Sequence, residues 1–171
     1  MPQELRLEGT RIEELEPQPT IAVRIQQRMA ELDLRAAFDR YLPEIGARIH
    51  ELGAAGAGAP FGRYHRFGPD IVDVEIGFPL TASAAGLPAL ASCAPGEIGA
   101  SELPGGLVAR TTHVGSYKSL SQAYDALHSW IHEQPGVDDG DGPWEIYRDS
   151  PREVPISEVR TDIVWPLRSA T

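Results

Sequence analysis

Between Thr20 and Gln26 the apolar residues Ile21, Val23 and Ile25 alternate with Ala22 and Arg24, the period of a half-buried β-strand. A first extended segment, Arg11 to Glu16, precedes it, and Pro17-Gln18-Pro19 between them is a turn that no central ladder accommodates. The period then changes. Leu34, Phe38, Tyr41, Ile45 and Ile49 recur at steps of three and four, so a helix starting near Met29 to Asp33 carries one apolar face. The small-residue run Gly53 to Pro60 ends it. Strands follow at Phe61–Phe67 and Ile71–Leu80, divided by Gly68-Pro69-Asp70, and the Ala-, Ser-, Gly- and Pro-rich stretch Thr81 to Pro95 reads as a loop.

The second half repeats the first. A shift of 86 carries Ile12, Glu16, Pro19 and Arg24 onto Ile98, Glu102, Gly105 and Arg110, and Ile21 and Val23 onto Leu107 and Ala109. The same shift carries Leu34, Ala37, Phe38, Tyr41 and Ile45 onto Leu120, Ala123, Tyr124, Leu127 and Ile131. A shift of 83 brings Phe61 and Tyr64 onto Trp144 and Tyr147, and one of 87 brings Ile76, Phe78, Pro79 and Leu80 onto Ile163, Trp165, Pro166 and Leu167. The pattern predicts an α+β fold of one domain, residues 1–171. In it, strand–strand–helix–strand–strand occurs twice, over about 11–80 and 97–168, joined by a linker at about 81–96 and related by an approximate twofold axis. The expected architecture is an antiparallel sheet with both helices on one side and a central groove. The helices would bury Ile21, Val23, Ile76, Phe61 and their counterparts. Alternation would then place Tyr64, Glu75 and Gly77, with Glu145, Tyr147, Asp162 and Val164, on the groove floor.

The repeat directs attention to Gly142–Asp149, a short strand bounded by Gly-Pro and Asp-Ser-Pro, in which Glu145 and Tyr147 share a face. Under these shifts Glu145 stands where the first half has Gly62, while Tyr147 matches Tyr64. A carboxylate between aromatic faces suits a lipophilic, planar or cationic ligand, because aromatic faces attract cations by about 0.5–2 kcal/mol each. Burial would also raise a glutamate's pKa toward the range of a general base, with the Tyr147 hydroxyl donating to developing charge. A polar pair on a solvated strand is the plainer alternative.

Charge and remaining chemistry narrow the field. With 15 Lys and Arg against 25 Asp and Glu the net charge is −10, which argues against direct nucleic-acid binding. The single cysteine, Cys93, excludes an internal disulfide and a cysteine-based zinc site. No signal pattern and no long apolar run is present, so a cytoplasmic protein without membrane association is expected. His128 and His132 lie one helical turn apart, yet no third ligand is identifiable in sequence, so no metal is expected and they read as a solvated helix face. Asp138-Asp139-Gly140-Asp141 lacks the downstream glutamate of a calcium loop and reads as an acidic turn. Tyr124, Trp130 and Trp165 read as packing residues.

The segment H-V-G-S-Y-K-S-L-S-Q-A-Y-D-A-L-H-S-W-I from His113, P-W-E-I-Y from Pro143 and R-T-D-I-V-W-P-L from Arg160 together resemble the GyrI-like small-molecule-binding family. F-G-R-Y-H from Phe61 and V-E-I-G-F-P-L from Val74 extend the resemblance over roughly Ile12 to Leu167. Ser116 departs from it, standing where the family's Gly-Pro-Tyr has proline. The resemblance implies a duplicated βαββ architecture with a central pocket, whose glutamate maps onto Glu145 and whose aromatics map onto Tyr147 and Tyr64. It implies the roles of the family's members: effector domains of AraC- and MerR-type activators, stand-alone multidrug-binding proteins, a gyrase inhibitor, and hydrolases of cyclopropane compounds. With no helix-turn-helix pattern ahead of Ile12, the chain reads as a stand-alone member needing no cofactor. Three functions follow as expectations: a ligand-binding protein using Glu145, Tyr147, Tyr64, Asp162 and Glu75; a hydrolase in which Glu145 activates water; and a partner of a regulator or of gyrase.

Overall fold

The computed structural model describes residues 4–31, 33–81 and 96–170. Cys93 and most of the expected linker lie outside them. Among the described residues are nine strands and two α-helices, and every strand pair is antiparallel. Contacts divide the chain into two compact units, Glu16–Gly105 and Met1–Leu15 with Gly106–Thr171.

The contiguous unit holds β2 (Gln18–Arg28), α1 (Leu34–Glu51), β3 (Phe61–Phe67), β4 (Ile71–Pro79) and β5 (Ile98–Leu103). Its ladder runs β3-β4-β2-β5. α1 starts where Asp33 accepts the Ala36 N–H at 3.0 Å, satisfying one of the free donors of the first turn. The helix lays Leu34, Phe38, Tyr41, Ile45 and Ile49 on Ile21, Val23, Ile25, Val72, Val74 and Ile76, as the periodicity predicts. Each fully buried aliphatic side chain of that set contributes about 1.5–3 kcal/mol.

The discontinuous unit holds β1 (Leu7–Leu15), β6 (Gly106–Val114), α2 (Leu120–His132), β7 (Val137–Asp139), β8 (Trp144–Tyr147) and β9 (Arg160–Ser169). Its ladder runs β1-β6-β9-β8, with β7 paired to the end of β9. The acidic run Asp138-Asp139 is therefore partly a strand and not only a turn. α2 packs Ala123, Leu127 and Ile131 against Ala109 and Ile163, with Leu120 and Tyr124 beside them.

The opening strands do not stay with their own repeats. β1 hydrogen-bonds to β6, pairing Ile12 with Ala109, while β5 hydrogen-bonds to β2, pairing Ile98 with Val23. Both exchanges keep the same register, which is why the shift of 86 holds for these strands.

The ladders correct the rest of the repeat. Arg24 pairs bidentately with Asp73 at 2.8 and 2.7 Å, and Gln26 donates to Asp73 at 3.1 Å. In the discontinuous unit Arg110 donates to Asp162 at 2.7 Å, and Thr112 also at 2.7 Å. Arg24 and Gln26 reach Arg110 and Thr112 by the shift of 86, so Asp73 and Asp162 are counterparts and β4 maps onto β9 by 89, not 87. Through β4 and β9, Tyr64 (opposite Val74) then corresponds to Glu145 (opposite Ile163), and Phe67 (opposite Val72) to Tyr147 (opposite Thr161). The expected matches of Gly62 to Glu145 and Tyr64 to Tyr147 are replaced.

The assignment of faces changes with them. Phe61 stands opposite Gly77 and Trp144 opposite Val164, so both lie on the sheet faces away from the helices, though each is buried. Tyr64, Glu145 and Tyr147 lie on the helix-facing sides. Gly77 leaves no floor space: a Cβ there would collide with the Ile21 carbonyl oxygen and stand 2.7 Å from Ala22 Cβ.

Candidate functional site

Pairing of β8 with β9 sets Glu145 opposite Ile163 and Tyr147 opposite Thr161, on the side that α2 covers. Glu145 is 5 % exposed. Tyr124, on the core stripe of α2, donates its hydroxyl to Glu145 Oε2 at 2.9 Å. Tyr147, two residues along the same face, donates to Oε1 at 3.3 Å. Among the described residues no cationic side chain pairs with Glu145. Burial therefore dominates and pushes its carboxyl up to about 7, with the two phenol hydrogen bonds pulling the other way.

The ring of Tyr117 meets that of Tyr147 edge to face, centroids 6.3 Å apart, and is 38 % exposed, placing one aromatic side near solvent. Burial, then the charges of Glu145 and Asp149, raise the Tyr117 hydroxyl above its ordinary value. Trp165 stands edge-on to Tyr124 at 5.7 Å and donates its indole N–H to the Gly140 carbonyl at 2.9 Å. His113, also on the helix-facing side of β6, is fully buried, with Nε2 2.7 Å from Ser119 Oγ, and burial lowers its pKa. Ser116, the departure from proline, has φ −61° and ψ 141° and accepts the Lys118 N–H at 3.3 Å, so the backbone keeps the shape proline would impose.

The structure thus brings together Glu145 and Tyr147 but not all five expected residues. Asp162 lies on the opposite face of its sheet from Glu145, its oxygens accepting from Arg110 and Thr112. Glu75 belongs to the contiguous unit, where Oε2 lies 2.8 Å from His65 Nε2. Burial pushes Glu75 upward, but hydrogen bonds from His65 and Ser101 outweigh it and leave the carboxyl below its ordinary value. Tyr64, in the same unit, packs into the α1 core and meets Phe67 edge to face at 5.8 Å. Tyr124 was legible only as packing. The signal lay in its hydroxyl, which its counterpart Phe38 lacks.

A buried carboxyl group with a pKa near 7, held by neutral donors, can accept a cation with loss of a proton or can take a proton from bound water.

Residues 10–168 match the model of the GyrI-like small molecule binding domain. No curated protein sequence matches. The EcmrR C-terminal domain is similar in structure at 20 % identity, with TM-score 0.72 and coverage of 97 % of this chain and 99 % of that one. The chain spans 58 % of EcmrR as seen in its DNA complex. SAV2435 bound to tetraphenylphosphonium is similar at 14 % identity and TM-score 0.63, covering 94 % of each chain. A hydrolase encoded by lin2189 from Listeria innocua is similar at 11 % identity and TM-score 0.59, covering 94 % of this chain and 92 % of that one. At these identities the likeness is one of fold.

Proposed function

Because the chain belongs to the family of GyrI-like small-molecule-binding domains, we propose that it binds lipophilic, planar or cationic molecules at Glu145, with Tyr124, Tyr147 and Tyr117 as the aromatic surround. The observation that carries this reading is a nearly fully buried carboxyl group whose hydrogen bonds come from two phenols. Such a group is costly to bury ionised without a positive partner, and a bound cation supplies one. SAV2435, of similar fold, is a protein bound to a lipophilic cation, which makes tetraphenylphosphonium the natural probe. Asp162 and Glu75, already engaged with Arg110, Thr112 and His65, are read as sheet-face ion pairs and not as ligand contacts.

Titration with tetraphenylphosphonium tests the proposal. Glu145→Gln should weaken binding about tenfold or more, since it removes the charge and keeps the shape. Equal affinity in the two proteins would sink the reading. Affinity should also follow ionisation of Glu145: with its pKa at about 7, binding should be about fivefold weaker at pH 6 than at pH 7, from the ionised fractions alone.

The same pKa favours a second reading, in which Glu145 takes a proton from water that attacks an electrophilic small molecule while a tyrosine hydroxyl stabilises the developing charge. It predicts turnover of a strained-ring substrate, lost in Glu145→Gln while neutral ligands still bind. Absence of product across a panel of cyclopropane compounds counts against it.

A further inference from the structure

A second constellation stands at the C-terminal end of α2 and does not depend on the small-molecule reading. His128 and His132 project from successive turns of the helix, and β7 is held beside them because it pairs with the end of β9, Asp139 opposite Leu167. His132 Nε2 lies 3.2 Å from His128 Nε2 and 2.9 Å from Asp139 Oδ1, and His128 Nε2 lies 3.3 Å from that same oxygen. The third ligand that the sequence did not identify is thus Asp139, delivered by a strand that reads as a turn.

The triangle has the dimensions of a coordination shell. Ligands at about 2.0–2.1 Å from a tetrahedral ion are about 3.3 Å from one another. A shared proton joins two of the three atoms at a time, whereas one cation at the centre engages all three lone pairs. Two imidazole nitrogens exclude calcium and magnesium, which take oxygen, and select a first-row divalent transition ion. Asp138 borders the triangle: its Oδ1 lies 3.4 Å from His132 Nε2 but accepts the Asp139 N–H at 2.8 Å, and its Oδ2 lies 3.5 Å from the Arg168 guanidinium. The two histidine side chains are 48 % exposed, leaving access from solvent and room for water as a fourth ligand.

We propose that His128, His132 and Asp139 form a binding site for one zinc-class divalent ion, pinning β7 to the last turn of α2. The test is calorimetric titration of the chelator-treated full chain with zinc alone, alongside cobalt as a spectroscopic stand-in. One equivalent should bind, cobalt should show the visible absorption of a tetrahedral nitrogen–oxygen site, and zinc should raise the thermal midpoint. Asp139→Asn and His132→Gln should each weaken zinc binding about 30-fold or more, while Asp138→Asn should change it by less than about threefold. His128 lies 5.7 Å from Trp165 ring to ring, so nickel should quench tryptophan fluorescence in the parent and not in His128→Gln. The substituted side chains are surface ones, and far-UV circular dichroism checks that each variant is folded. Absence of saturable one-to-one binding, or binding unchanged in Asp139→Asn and His132→Gln, overturns the proposal and leaves a proton-shared hydrogen-bond cluster.

Discussion

The two units build the same corner from different chemistry. In the contiguous unit the helix residue Phe38 and the strand residue Tyr64 both pack on the core beneath α1, and the exposed ring of Phe67 meets Tyr64 edge to face. In the discontinuous unit the corresponding positions are Tyr124, Glu145 and Tyr147, linked by hydroxyl-to-carboxylate hydrogen bonds. Around this difference the units agree closely, down to the Arg24–Asp73 and Arg110–Asp162 pairs on the opposite faces. A carboxyl group set into one member of a matched pair, where the other keeps an aromatic ring, is poorly explained by packing. It also differs from Glu75, the buried glutamate of the contiguous unit, whose histidine partner holds its pKa down while that of Glu145 rises.

The most severe way to test that comparison is to force the units to match. Tyr64→Glu places a carboxylate opposite Val74, in a unit whose helix carries Phe38, without a hydroxyl, where the other carries Tyr124. It should destabilise the protein by about 3 kcal/mol at pH 8, read from urea midpoints, because it replaces a ring packed on the α1 core by a half-buried charge. A mild effect would mean that the corner is open to water.

Glu145→Gln makes the reverse test. Glu145 has a folded pKa of about 7 against about 4.5 unfolded, so the folded state holds the proton more tightly. Its penalty is absent below about pH 4.5, grows as pH rises, and is complete above about pH 7. The variant should therefore match the parent near pH 4 and exceed it by about 3 kcal/mol at pH 8, at 1.36 kcal/mol per pKa unit. A constant difference across that range would mean the carboxylate is solvated.

Tyr124→Phe restores the residue type of Phe38 and deletes one donor. It should push the Glu145 pKa further up and cost about 1–2 kcal/mol above pH 7, with little change below pH 5. A carbon-13 titration of the carboxyl carbon would register the upward movement. Smallest is Ser116→Pro, which replaces a residue already at φ −61° and forfeits the acceptor for Lys118 N–H. A change within about 0.5 kcal/mol is expected, placing the functional difference in the corner and not in the approach to α2.

Much of this was legible before any coordinate. Helix faces follow from the three- and four-residue spacing of Leu34 to Ile49 and Leu120 to Ile131, and Glu145 stands out as a break in the repeat. The register was not legible, for a physical reason. Strand side chains alternate with period two, so a slip of two residues, 87 against 89, preserves every inward and outward assignment. A like slip between β3 and β8, 83 against 81, matched Glu145 with Gly62 and concealed Tyr64 as its true counterpart. Alternation also defines the two faces of a strand without saying which joins which face of its neighbour, hence the inversion of Phe61 and Tyr64. The exchange of β1 and β5 carries no local signature at all, and Asp139 reached the histidines only through a three-residue strand too short for any periodicity.

The exchanged strand β1 also has a history in time. During synthesis its partner β6 emerges only after the ninety residues from Glu16 to Gly105, all of which belong to the other unit. At about 5–20 residues per second the nascent strand waits about 5–20 s with an unfilled edge. Over that interval Glu8, Arg11, Glu13 and Glu14 make it a poor template for neighbouring chains on the same message. The contiguous unit can close first, and the unit bearing Glu145 is completed last.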